Sequence, residues 1–94
     1  MKLSMENYNG FENWLKANDY VSWKTYLSFM KQIESTLMVK DFDIIRSVSI
    51  LEKLFKDLEV NRAFTARSKS DKDNILSGFR AYIIYIKWSK ENDF

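Results

Sequence analysis

The sequence has no cysteine, no histidine and no proline, and only two glycines in 94 residues. Without cysteine there is no disulfide and no thiolate nucleophile. With histidine also missing, the usual ligands of structural zinc are absent. A cysteine-free chain fits a reducing compartment. So few glycines and no proline leave few tight-turn signals, which argues against many short strands. No apolar run approaches the roughly 18–20 residues that cross a bilayer; the longest is 81–86. The opening Met1-Lys2-Leu3-Ser4-Met5-Glu6 holds no apolar stretch of signal-peptide length, so a cytoplasmic location is expected. Neither a G-x-x-x-x-G-K-[ST] phosphate loop nor a G-x-G-x-x-G turn occurs.

Strong charge of one sign is also missing. Fifteen basic and thirteen acidic residues leave a net charge of +2. Residues 1–47 carry six of each sign, while residues 48–94 carry nine basic and seven acidic. That excess permits nucleic-acid binding without arguing for it.

What is abundant is aromatic and aliphatic. Hydrophobic residues make up 46% and aromatics 16% of the chain, so a packed core rather than disorder is expected. The length supports one domain, 1–94, with an ordered core over about 10–88 and frayed ends at 1–8 and 91–94.

Hydrophobic spacing predicts helices. The first covers 10–17, capped by Asn9 with Glu12 three residues on, and stripes Phe11, Trp14 and Leu15 on one side before Asn18-Asp19 breaks it. The second follows Ser22, with Trp23, Tyr26, Leu27, Met30, Ile33 and Leu37 in a sustained 3.6-residue period. The third begins at Ser47 or Ser49, the latter making an S-x-x-E cap with Glu52, and turns Ile50, Leu51, Leu54, Phe55 and Leu58 inward. Residues 42–46 precede it as a short segment that packs its apolar side chains under the turn. A single helical turn is expected at 62–66. The last helix starts at Ser70, with Asp73 three residues on, and turns Ile75, Leu76, Phe79, Tyr82, Ile83 and Ile86 inward. Asp71 and Asp73 in its first turn and Lys87 and Lys90 near its end suit the helix dipole. The expected fold is all-α, a compact four-helix bundle, or five helices counting the short turn.

Catalytic chemistry is hard to build from this composition. General acid–base or nucleophilic work needs a poised group beside a partner, and the ten serines carry no recognisable motif. The densest carboxylate pairs, Asp41/Asp43 and Asp71/Asp73, read more simply as turn and helix-start charges than as an acid–base or magnesium pair. No catalytic residue, metal, cofactor or small-molecule substrate is expected.

One basic cluster stands out. Arg62, Arg67, Lys69 and Lys72 place four cations in eleven residues against Asp71 alone. At a helix start they read as a phosphate-binding rim, or as a polar, solvated loop, which on spacing alone is the simpler account. Lys24 beside Ser22 is a weaker set of the same kind. Trp14, Trp23, Tyr26, Phe55, Phe79 and Tyr82 have the chemistry to stack on bases, but their inner-stripe positions favour the core. Tyr85 and Trp88 read as an exposed contact patch or as a cover over the core beside the first helix. Phe29, off the main stripe of the second helix, reads as a partner surface.

Three segments together, Phe11-Glu12-Asn13-Trp14-Leu15, Ser22-Trp23-Lys24-Thr25-Tyr26-Leu27-Ser28-Phe29-Met30 and Asn74-Ile75-Leu76-Ser77-Gly78-Phe79-Arg80-Ala81-Tyr82-Ile83-Ile84-Tyr85-Ile86, carry a resemblance. The pattern resembles the N-terminal, SAM-like core-binding domain of phage integrases and other tyrosine recombinases. It is also similar to a helical module that precedes nuclease domains in restriction-type and HNH-type proteins, whose last helix looks like 77–86. The resemblance implies a non-catalytic module clamping one face of duplex DNA, with strand cutting and rejoining in a separate domain. It implies contacts at Ser22, Lys24, Arg67, Lys69, Ser70 and Lys72, with Arg80 as an addition. The near-neutral charge departs from that family. The alternative expectation is a protein-interaction or self-association module using Phe29, Tyr85 and Trp88.

Overall fold

In a computed structural model, residues 6–40, 42 and 45–91 are described, those of 6 and 7 by backbone alone. They form five helices and no strand: α1 (Glu6–Ala17), α2 (Trp23–Leu37), α3 (Val48–Glu59), α4 (Arg62–Thr65) and α5 (Lys69–Glu91). The expected Asp41/Asp43 pair and Ile44 lie outside the described residues, as do 1–5 and 92–94. Helix α5 packs on α1, α2 and α3, and α4 leans on α3. Among the described residues no helix is long and apolar enough to cross a membrane.

Helix α1 begins at Glu6, not near Gly10, and Asn9 lies inside it rather than capping it. Tertiary packing overrides the local cap signal. Tyr8, expected in a frayed end, is buried. Its ring meets Tyr82 edge-on at 5.9 Å and its hydroxyl donates to Glu34 Oε2 at 2.7 Å. Glu12 pairs with Lys16 at 2.8 Å instead of closing a capping box. The helix ends where Asn18-Asp19 predicts. Asp19 takes a left-handed conformation (φ 63°), which Asp adopts more readily than most residues. The Asp19 amide donates to the Lys16 carbonyl and the Tyr20 amide to the Leu15 carbonyl, the bond pair of a Schellman stop.

Helix α2 has the expected period, with Met30 and Ile33 buried and Trp23, Tyr26, Leu27 and Leu37 packed against the core. It ends at Met38, also left-handed (φ 58°), whose side chain is 86% exposed. The amides of Met38 and Val39 both donate to the Glu34 carbonyl. Helix α3 is capped by Ser47, whose Oγ accepts from the Ile50 amide; the Ser49–Glu52 match lies within its first turn. Its buried positions are Leu51 and Leu58. Ile50, about 100° around the helix from Leu51, is half exposed rather than inward.

The α2–α3 connection inserts Phe42 into the core. That ring is fully buried, 5.6 Å from Phe79 and 5.8 Å from Tyr82. The connection is held at its far end by Arg46, which donates to Ser89 Oγ at 2.8 Å, while Ser89 donates to the Ile86 carbonyl. Helix α5 buries more than the expected stripe. Gly78, Ala81, Tyr85 and Ser89 are also inside, because neighbours cover it on three sides.

Both glycines sit within helices, where each costs about 1 kcal/mol against alanine. Each marks a close approach. A Cβ at Gly10 would overlap the Tyr85 hydroxyl, and one at Gly78 would lie 3.0 Å from the Phe29 ring. Gly10→Ala is therefore expected to destabilise the fold by about 1–2 kcal/mol despite its better helix propensity. Tyr85→Phe in the same chain should recover part of that loss, measured as a double-mutant cycle in urea unfolding. Met38→Gly, removing a Cβ from a left-handed site, is expected to stabilise by about 0.5–1 kcal/mol, read as a higher unfolding midpoint at unchanged slope.

Candidate nucleic-acid interface

The four clustered cations fall on a corner made by α4 and the start of α5. Asn61 caps α4 by accepting the Phe64 amide at 3.1 Å, and Phe64 is buried, anchoring this single turn to the core. The chain then reverses, with the Arg67 amide donating to the Phe64 carbonyl. Ser68, not Ser70, starts α5. Its Oγ accepts from the Asp71 amide at 3.2 Å and its carbonyl from the Lys72 amide at 3.0 Å. Ser70 is an exposed residue of the first turn. The amides of Lys69 and Ser70 lack intrahelical acceptors, as in any first helical turn.

The cations are not equivalent. Arg67 Nη1 lies 2.9 Å from Asp71 Oδ2, and Lys69 Nζ lies 3.0 Å from Asp73 Oδ2. Both pairs are i,i+4 contacts at the surface, worth roughly 0.3–0.5 kcal/mol and weakened by salt. Arg62 is exposed, Lys72 is half-buried, and neither has a carboxylate within 4 Å among the described residues. The corner thus has two cations without ion pairs and two held by exchangeable partners. Asp71 and Asp73 are first-turn residues engaged by these cations.

Other expected contacts lie elsewhere. Arg80 is on α5 roughly 16 Å along the axis from Lys69, its guanidinium 5.4 Å from the centroid of the Phe55 ring. Lys24 sits at the start of α2 beside Trp23, a ring that Lys16 also covers at 4.2 Å. Phe29 meets Gly78, whereas Trp14 joins Tyr20 to Tyr85. Helices α2 and α5 therefore run in opposite directions, and Lys24 is at the pole away from the corner. Ser22 precedes α2 as expected, but its side chain makes no cap bond.

The contact-patch residues divide. Tyr85 is 7% exposed and packs on Phe11 and Trp14, so it covers the core beside α1. Phe29 is half-buried, with its ring against Gly78 at the α2–α5 crossing. Only Trp88 stays open, at 40% exposure, joined by Ile84 at 52%. The sequence signal for Ile84 is an isoleucine on the polar face of α5, in step with Arg80 and Lys87. Ser68 was missed because a second serine two residues later matched the same cap pattern.

The cap assignment has a direct test. Ser68→Ala is expected to cost about 1 kcal/mol, whereas Ser70→Ala should change stability by less than about 0.5 kcal/mol, both by thermal unfolding. Equal losses would reverse the assignment.

Comparison with known protein families, curated proteins and solved structures gives no match.

Proposed function

We propose that this chain is a non-catalytic, cytoplasmic module that binds duplex DNA through the α4–α5 corner. In this reading it is a SAM-like helical domain of the kind that accompanies the catalytic domain of a phage-type integrase or a restriction-type nuclease. The observation that carries the reading is the corner itself: Arg62 on α4 and Arg67, Lys69 and Lys72 around the first turn of α5, opposed among the described residues by the i,i+4 carboxylates Asp71 and Asp73. Phosphate oxygens accept from guanidinium, ammonium and first-turn amides alike. Contacts of this type fix position on the backbone and do not read sequence. Displacing Asp71 and Asp73 from their partners costs little, so a phosphate can take over both cations.

Neutralising about four phosphates gives a log–log salt slope near −3.6, or roughly a hundredfold loss of affinity between 50 and 200 mM salt. Lys69→Glu with Lys72→Glu is expected to lower affinity for a duplex probe by at least about tenfold without lowering the thermal midpoint appreciably. Gel-shift titration at two salt concentrations measures both. An unaltered affinity in the double variant, or salt-independent binding by the parent chain, removes the corner from the mechanism.

A further inference from the structure

We propose that the groove between α3 and α5 docks an acidic amphipathic helix of a partner protein, at a surface separate from the α4–α5 corner. The two helices run antiparallel here, with Phe55 against Phe79 at 5.2 Å and Lys87 near Glu52 at 3.7 Å. Between them lies an open trough of about 720 Å³ that includes Phe55, Ile83 and Ile84 in its lining. Its α3 side runs from Ser49 to Glu59, roughly 15 Å or about three helical turns. Ile84 forms a ridge, since it also lines a second, smaller trough beside Trp14 and Trp88.

Charge selects the occupant. Four cations, Lys53, Lys56, Arg80 and Lys87, line the trough against two carboxylates, Glu52 and Glu59. Lys87 is near Glu52, and Lys53 binds Asp57. Lys56 and Arg80 have no carboxylate within 4 Å among the described residues. Arg80 lies over the Phe55 ring, so a planar, five-donor cation stands on an apolar floor. A carboxylate held in that position would receive paired hydrogen bonds. An amphipathic helix brings both requirements at once: an apolar stripe for the exposed Ile84 and the half-buried Phe55, and flanking acids for Arg80 and Lys56. Nucleic acid suits this trough poorly. Its apolar lining, Phe55, Ile83 and Ile84, offers a phosphate no hydrogen bond.

The test uses the whole chain and a fluorescent 14-residue peptide with leucine at i, i+3, i+4 and i+7 and glutamate on its flanks. Anisotropy titration is expected to show saturable binding below about 1 mM. A peptide with lysine for glutamate, and a scrambled peptide without the stripe, should each bind at least about tenfold more weakly. Arg80→Glu should weaken the acidic peptide about tenfold and Ile84→Ser about fivefold; both positions are exposed, and unchanged melting curves confirm folding. Amide shift changes should fall on 52–59 and 80–87. No saturation by 1 mM, equal binding of the lysine or scrambled peptide, an unaffected Arg80→Glu variant, shifts confined elsewhere, or displacement by duplex DNA at these amides each overturns the proposal. Lys69→Glu with Lys72→Glu should leave peptide affinity unchanged, so failure at the corner and failure at the trough are separately visible.

Discussion

The fold depends on the packing around one side chain, Tyr82. Its ring sits 5.0 Å from Phe11, 5.9 Å from Tyr8 and 5.8 Å from Phe42, each meeting it near edge-on. Edge-to-face geometry sets the positive rim of one ring against the negative face of the next. The row continues through Phe42 to Phe79 and on to Phe55, and through Phe11 to Trp14. It therefore crosses the molecule from α1 to α3 with α5 as its middle. Phe42 comes from a connection rather than a helix, so the path of the α2–α3 link is fixed by the core. Those constraints hold α3 at its distance from α5, and the trough between them follows from that spacing.

Helix positions were legible in the sequence wherever the apolar period was long. The α2 stripe and the Ile75, Phe79, Tyr82, Ile83 and Ile86 side of α5 follow from it directly, and Asn18-Asp19 marks the end of α1. The parts that were not legible depend on distant partners. Nothing near Tyr8 indicates that Tyr82 and Glu34 will hold it, so the local cap at Asn9 looked like a boundary. Two serines at the start of α5 fit the same motif, and only the hydroxyl's reach to the Asp71 amide separates them. Tyr85 had two readings three residues from Trp88; Gly10 decides between them by leaving room for the tyrosine ring against α1.

The basic cluster was visible as composition, but its arrangement was not. Spacing alone makes Arg62, Arg67, Lys69 and Lys72 equivalent, whereas the fold commits two of them to carboxylates one turn away and leaves two without such partners among the described residues. Arg80 and Lys24 belong to other neighbourhoods, each over an aromatic ring. A net charge near zero thus hides a surface where cations differ by what they touch. Such differences arise from helix register and crossing, neither of which a composition reports.

Helix α5 runs unbroken over 23 residues, roughly 34 Å of axis in a molecule whose longest dimension is 39 Å. It has no proline and no internal irregularity, so it behaves as a rigid ruler. Its first turn and Ile84 stand about 22 Å apart along that axis, a separation fixed without any linker. Two ligands joined to one another and spanning that length would each raise the local concentration of the other, while a pair too short to span it would gain nothing.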